Sequence, residues 1–298
     1  MKAMILAAGL GTRLRPLTDT RPKALVEING RTLLEITLAR LRTFGINEII
    51  INVHHFADMV VNYLKSKSNF GMRIEISRED DLLLDTGGGL KKAAWFFLEE
   101  APHSPLGTRH SPPEPFLLHN VDVISTIDLR RMLQFHREHS ALATLAVQSR
   151  ESSRLLLFND QLQLCGRAAS GGGASKGSVI PSAARNPSSL SGGASAHSRD
   201  STGGHSEPRE ESAFSSHSPL AIRHTLLSLA FSGIHIISPR LLPLLTEEGV
   251  FSIIDAYLRL AALGEKILAF RADEYYWRDL GRPADLSQAA RDVQQGMF

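Results

Sequence analysis

The sequence has almost no cysteine, few aromatics, no excess of either charge and no long apolar run. Its single thiol, Cys165, can form neither an internal disulfide nor a cysteine metal cage, which points to a reducing compartment. Lys and Arg total 33 against 31 Asp and Glu, a formal charge of +2, so there is no basic footprint for a nucleic-acid backbone. No apolar run reaches the ~18 residues that span a bilayer. The opening MKAMILAAGLG is followed by no small-residue cleavage site and runs directly into Thr12-Arg13-Leu14-Arg15-Pro16. It reads as a mature, cytoplasmic start. Hydrophobic side chains make up 43% of the chain, enough for a packed core, which excludes disorder throughout.

One stretch departs from that composition. Residues 166–219 hold 15 Ser, 9 Gly and 4 Pro, with only Val179, Ile180, Leu190 and Phe214 from the strongly hydrophobic set. Such a segment buries too little apolar surface to offset its ordering entropy, so a disordered, low-complexity insertion is expected there. Its His197, His205 and His217 lack ligand spacing. Closure entropy grows only logarithmically with loop length, so the insertion can interrupt a domain without destroying it. Residues 1–165 and 220–298 are then expected to form one domain of ordinary size.

Outside the insertion, strand-like and helix-like runs alternate. Apolar runs at Lys2–Ala8, Glu48–Val53, Met72–Ser77, Phe116–His119 and Ala141–Gln148 read as strands. Helical spacing appears at Thr32–Phe44, Asp58–Lys65, Gly89–Glu100 and Leu129–His139, with Asp128 as a cap and Gly45 as a stop. The alternation predicts an α/β fold with a mostly parallel sheet flanked by helices. Leu155–Phe158 and Gln161–Leu164 flank Asn159-Asp160 as a hairpin. Order resumes at Leu226–Ile237, which makes this a small β-rich region. Helices at Pro239–Leu245, Ile253–Leu263 and from Pro283, with a strand at Lys266–Arg271, complete the chain.

Chemistry concentrates at strand ends. Leu6-Ala-Ala-Gly9-Leu-Gly11-Thr-Arg13-Leu14 follows the first strand, where glycines let backbone N–H groups approach phosphate oxygens. It is neither a dinucleotide fingerprint nor a P-loop: Leu14 replaces the third Gly, Pro16 and Pro22 interrupt the helix such a fold needs, and no Gly-Lys-Ser/Thr follows. Arg13 offers a planar fork for pyrophosphate oxygens. Lys23, stiffened by Pro22, is a cation suited to a phosphoryl centre, or else a solvated base. Asp85-Thr86-Gly87-Gly88-Gly89 either packs against a flat base or caps a helix. Asp122 and Asp279 each end a strand; two carboxylates could share one octahedral Mg²⁺ with substrate phosphates, or serve as turn residues.

Taken together, AAGLGTRLRPLT, RPKALVEI, DTGGGLKK, LLHNVDV, FSGIHII and YWRDLG, in this order, resemble the sugar-1-phosphate nucleotidyltransferases. The resemblance runs from Met1 to about Leu286, interrupted by the insertion. It implies a single Rossmann-like sheet and a reaction in which a sugar 1-phosphate attacks the α-phosphorus of a nucleoside triphosphate, UTP or GTP, releasing pyrophosphate. It further implies that Gly9, Gly11, Thr12 and Arg13 hold the triphosphate, that Leu6 and Ala8 also bind the nucleotide, and that Gly87 and Gly88 lie along the nucleoside. Lys23 and Arg13 would be catalytic, Gly233 would border the sugar, and Asp122 with Asp279 would bind Mg²⁺. Within the family, the uridylyltransferases of N-acetylmuramate 1-phosphate, enzymes of cell-wall recycling, look most similar. Transfer to mannose 1-phosphate or glucose 1-phosphate, and non-catalytic nucleotide-sugar binding, are the alternatives. No covalent nucleophile is needed, so Cys165 is expected to be inert.

Two features depart from the family's pattern. Val121 stands before Asp122 where Gly is common, which adds a β-branched side chain beside the expected metal. Asn120 could supply a polar contact there or be a satisfied core amide. The insertion, whose Ser-Arg-Asp-Ser and Glu-Pro-Arg-Glu-Glu pieces read like translated repetitive DNA, enters near the expected sugar pocket. An acidic sugar would want a cation in that pocket; Arg154 is a candidate, with a solvated surface Arg as the plainer reading.

Overall fold

The computed structural model describes residues 1–98, 114–168 and 226–297. The first half comprises β1 (Ala3–Leu6), β2 (Glu27–Ile28), β3 (Arg31–Thr32), α1 (Leu33–Thr43), β4 (Glu48–Val53), α2 (Ala57–Ser66), β5 (Arg73–Arg78), α3 (Asp85–Lys92) and α4 (Ala94–Leu98). The second comprises β6 (Phe116–Asn120), β7 (Val123–Ser125), α5 (Leu129–Glu138), β8 (Ala143–Gln148), β9 (Leu155–Phe158), β10 (Leu164–Arg167), β11 (Leu227–Ile237), α6 (Ile253–Ala262), β12 (Ile267–Arg271), β13 (Trp277–Asp279) and α7 (Pro283–Gln294). Chain contacts separate Met1–Ile180 with Thr225–Phe298 from a second unit, Pro181–His224, which lies outside the described residues.

β5, β4, β1 and β6 pair in parallel, in that order. β1, β4 and β6 are almost wholly buried, as expected of parallel strands covered on both faces. Their side chains alternate. Ala3, Ile5, Ile49, Ile51 and Leu117 face one core with Leu34, Leu38 and Leu41 of α1, whereas Met4, Ile50 and Leu118 face another with Ala256, Tyr257 and Leu260 of α6. The sheet thus carries helices on both sides and continues through β11, which is antiparallel to β6, β8 and β9. β12 then pairs parallel with β8, and β9 with β10 and the start of β11 makes the expected β-rich region.

Local sequence accounts for the helix ends. Thr32 Oγ1 accepts from Glu35 N at 3.0 Å and Asp128 Oδ1 from Arg130 N at 2.8 Å, which satisfies first-turn donors. Gly45 adopts φ 76° just past α1, the left-handed stop that glycine favours.

Three expectations shift. The helix expected at Gly89–Glu100 starts at Asp85 and breaks at Ala93 before α4, so all three glycines lie inside α3; residues 99 and 100 lie outside the described residues. Pro243 confines 239–244 to a 3₁₀ helix, because proline cannot supply an α-helical donor. The second hairpin strand is 164–167 rather than 161–164, since Asn159 Oδ1 accepts from both Gln161 N and Gln163 N and lengthens the turn. β10 therefore takes up Gly166 and Arg167, the first residues assigned to the insertion. Residues 169–219, the remainder of the stretch expected to be disordered, with its three histidines, lie outside the described residues.

Three histidines are buried in this framework. His119 and His235 sit on β6 and β11, and His136 on α5. Burial is the main cause that lowers their pKa, to about 4 for His119 and His136 and about 3 for His235. His136 is neutral with its proton on Nε2, which donates to Ser238 Oγ at 2.9 Å, because the Ser238 hydroxyl already donates to Ala141 O. A depressed histidine pKa means that the unfolded chain takes up protons first as pH falls from about 6.5. Stability is therefore expected to be full above that pH and to fall until the folded-state values near 4 and 3, by roughly 3 kcal/mol each for His119 and His136 and roughly 5 kcal/mol for His235 at most. Urea midpoints across pH 7.5 to 4 test this; a midpoint flat over that window contradicts neutral burial.

Candidate functional site

The carboxyl edge of the parallel strands gathers the residues singled out in the sequence. Beyond β1, Ala7 and Ala8 are buried and the chain turns at Gly11, φ 65°, into a 3₁₀ turn over Thr12–Leu14. Gly11 is needed for two reasons: its left-handed backbone, and a Cβ that would stand 2.9 Å from Thr18 Cγ2 and 3.2 Å from Lys23 Cβ. Thr18 Oγ1 donates to Gly11 O at 2.9 Å and fixes the turn. A Cβ at Gly9, by contrast, would meet nothing within 4 Å. No packing constraint explains glycine there, whereas close approach of a ligand would.

Two acid–cation pairs stand beside this loop. Lys23, in a 3₁₀ turn after Pro22 and only 9% exposed, donates from Nζ to Asp122 Oδ2. Arg13, on the other side, lies 3.9 Å from Asp279 Oδ2. Backbone pairing brings the two acids together: Asp279 is in register with Val123, and Leu280 N donates to Asp122 O at 2.8 Å. Val121 N donates to Leu6 O at 3.1 Å, which ties the same segment to the end of β1. Gly281 completes the arrangement, because a Cβ there would overlap the Arg13 guanidinium and stand 2.6 Å from Asp279 Oδ1.

Asp279 is the electrostatically unusual member. Burial, then the neighbouring Asp122 carboxylate, raises its pKa, against the opposing effects of Lys23, Arg13 and the Gly281 backbone N–H. Its Oδ1 is buried with no hydrogen-bond partner, a costly state for a carboxylate oxygen. Among the described residues no group of three or more His, Cys, Asp or Glu could cage a metal. Two hard oxygen donors, one of them orphaned, nevertheless fit Mg²⁺, which draws its other ligands from water and substrate phosphates. Val121, before Asp122, is 4% exposed and belongs to the core cluster that holds Leu117, Val123 and Ile234.

The remaining expected residues are placed differently. Gly87 and Gly88 are buried within α3 and both donate to Phe251 O, at 2.9 and 3.3 Å. Added Cβ atoms would collide with the Phe251 ring and Gly249 O, so packing alone accounts for glycine at both. Gly89 packs on a buried chain that sequence reasoning missed. Ala7 N donates to Asn52 Oδ1 at 2.8 Å, Asn52 Nδ2 to Glu79 Oε1 at 2.8 Å, and Leu84 N to Glu79 Oε2 at 2.9 Å. It locks the Gly loop to the segment before α3. Polar residues at the ends of apolar strands are the only sequence signal for it.

Gly233, expected beside a sugar, adopts φ 74° in β11, between the 231 and 235 register positions where pairing with β8 slips. A Cβ there would lie 2.8 Å from Asn120 Nδ2 and 3.1 Å from Val123 Cγ2, so Gly233 borders the segment that carries Asp122. Arg154 is exposed, with its backbone N donating to Ser152 Oγ. Cys165 is half-buried with burial pushing its thiol up, in keeping with an inert residue.

Comparison with known proteins follows these residues. The Nucleotidyl transferase family model matches residues 2–155. N-acetylmuramate alpha-1-phosphate uridylyltransferase of Caulobacter vibrioides is 50% identical over 93 residues, 30% of this chain and 38% of its own. Mannose-1-phosphate guanylyltransferase 1 of Arabidopsis thaliana is 33% identical over 148 residues, 49% of this chain and 38% of its own. The matches thus span well under half of those relatives. HddC from Yersinia pseudotuberculosis, solved with GMP-PN, superposes with a TM-score of 0.65 at 18% identity, over 98% of this chain and 99% of its own, which shows a shared fold. No helix among the described residues is long and apolar enough to cross a membrane. With the Gly loop, Asp122 and more than half of the sequence inside the matched family model, the chain belongs to the nucleotidyl transferase family.

Proposed function

We propose that the protein transfers a nucleotidyl group from a nucleoside triphosphate to a sugar 1-phosphate, specifically uridylyl to N-acetylmuramate 1-phosphate, in the cytoplasm and in cell-wall recycling. The observation that carries the reaction class is the meeting of Lys23–Asp122 and Arg13–Asp279 beside an open Gly9. The muramyl reading is supported by the Caulobacter relative; guanylyl transfer to mannose 1-phosphate, as in the name of the Arabidopsis relative, and a glucose acceptor are the competing outcomes.

In this reading, the backbone from Gly9 to Thr12 cradles the triphosphate and Arg13 grips its terminal phosphates through its planar fork. Asp122 and Asp279 would hold Mg²⁺, which when bound supplies positive charge to the phosphates and relieves the repulsion between the two acids. Lys23 lies where it can neutralise charge on the α-phosphoryl group as it passes between oxygens. A sugar-phosphate oxygen forms the new bond to the α-phosphorus, and the bond to the β-phosphate bridging oxygen breaks, its electron pair leaving with pyrophosphate. The attacking oxygen is already deprotonated at neutral pH, so no general base is required and positioning with electrostatics suffices. Gly87 and Gly88 then act through packing, setting the loop before α3 rather than donating to the nucleoside themselves.

Three outcomes test this reading. Pyrophosphate release, screened with four triphosphates against muramyl, mannose and glucose 1-phosphates, is expected to be strongest with UTP and the muramyl acceptor and to require Mg²⁺. Release with no pair would leave nucleotide-sugar binding without turnover. Lys23→Met is expected to lower kcat on the order of 10²–10³-fold in a protein that still folds but is less stable, having lost the partner of Asp122, while Asp279→Asn raises the Mg²⁺ concentration for half-maximal rate at least about tenfold; unchanged rates would remove both from the machinery. Finally, the insertion is proposed to be passive: replacing residues 169–219 by a short Gly-Ser linker should preserve kcat, and loss of activity in a folded deletion would refute that.

A further inference from the structure

Arg150 is a cation whose surroundings are incomplete. It follows β8 and is half-buried, with its guanidinium carbon 3.7 Å from the Trp277 ring centre and Nη2 donating to Phe231 O at 2.8 Å. Trp277 is itself fixed, its indole N–H donating to Ser232 O at 2.7 Å. These contacts orient the fork without neutralising it. Arg150 Nε is buried and has no acceptor, and the adjacent Ser232 Oγ is likewise buried and unpaired. Among the described residues no carboxylate lies within ion-pair distance of Arg150, although it feels the charge of Asp279.

Its location gives this unfinished cation a purpose. Trp277 precedes Asp279 by two residues on β13, and Phe231 precedes Gly233 by two on β11, so Arg150 is strung between a proposed metal carboxylate and the bulge beside the acceptor. Lys23 and Arg13 already serve the triphosphate side of Asp279. A stacked guanidinium whose Nη1 has no protein acceptor among the described residues and is not buried is the side chain best matched to a planar carboxylate.

We infer that Arg150 is a specificity-determining residue that receives a carboxylate on the acceptor sugar, selecting acidic sugar 1-phosphates over neutral ones. The inference rests on the acceptor being a sugar 1-phosphate, as proposed above. It replaces Arg154, whose exposure and lack of framing leave it unsuited to the task.

The test compares N-acetylmuramic acid 1-phosphate with N-acetylglucosamine 1-phosphate, which lacks only the carboxylate-bearing lactyl group. Arg150→Gln is expected to raise KM for the muramyl acceptor at least tenfold relative to KM for the glucosamine acceptor, with Arg150→Lys recovering part of the difference. The KM for the glucosamine acceptor reports an intact site, so misfolding is distinguishable. An equal rise for both acceptors would place the shared phosphate on Arg150, and no rise would leave it structural; either overturns the inference while the transferase reading stands. Failure of the unaltered protein to use any sugar phosphate overturns both.

Discussion

Two carboxylates held side by side are the constraint on which the site depends. Like charges in a partly buried position repel, and left free they would separate. Here the backbone forbids it: β13 pairs with β7, and the Leu280 amide bonds to the Asp122 carbonyl. Positive charge is then required close by. Lys23 meets Asp122 and Arg13 meets Asp279, and the raised pKa and orphaned oxygen of Asp279 show that this neutralisation is incomplete. A site in this condition fits the divalent cation proposed for it.

The glycines around the site divide by physical cause. Gly11 and Gly233 supply left-handed backbone, Gly87 and Gly88 allow α3 to close on the chain at 249–251, and Gly281 makes room for Arg13. Gly9 alone among these six has open space where a Cβ would point. A motif that looks like a uniform phosphate cradle in sequence is therefore partly a set of packing solutions, and a ligand contact follows most directly at Gly9.

The parallel half of the sheet was legible because β1, β4 and β6 are continuous apolar runs bounded by turn residues, and the helix caps at Thr32 and Asp128 because short oxygen-bearing side chains precede helical spacing. The start of α3 was not, since three consecutive glycines are poor helix formers; tertiary contact with Phe251 overrides that preference. Asp122 and Asp279 could be chosen from their positions at strand ends, but their meeting is a property of register between residues far apart in sequence. Arg150 carried no signal at all, because nothing in a linear chain pairs it with Trp277. Residues 169–219 lie outside the described residues, so their disorder remains an expectation from composition.

The most direct measurement is a titration of the Asp279 side-chain carboxyl by carbon-detected NMR, with and without Mg²⁺ and a non-hydrolysable UTP analogue. Held beside Asp122, it should titrate above the ordinary aspartate value in the free protein, and fall below that value once metal and nucleotide are added. An ordinary midpoint indifferent to both additions would contradict the account.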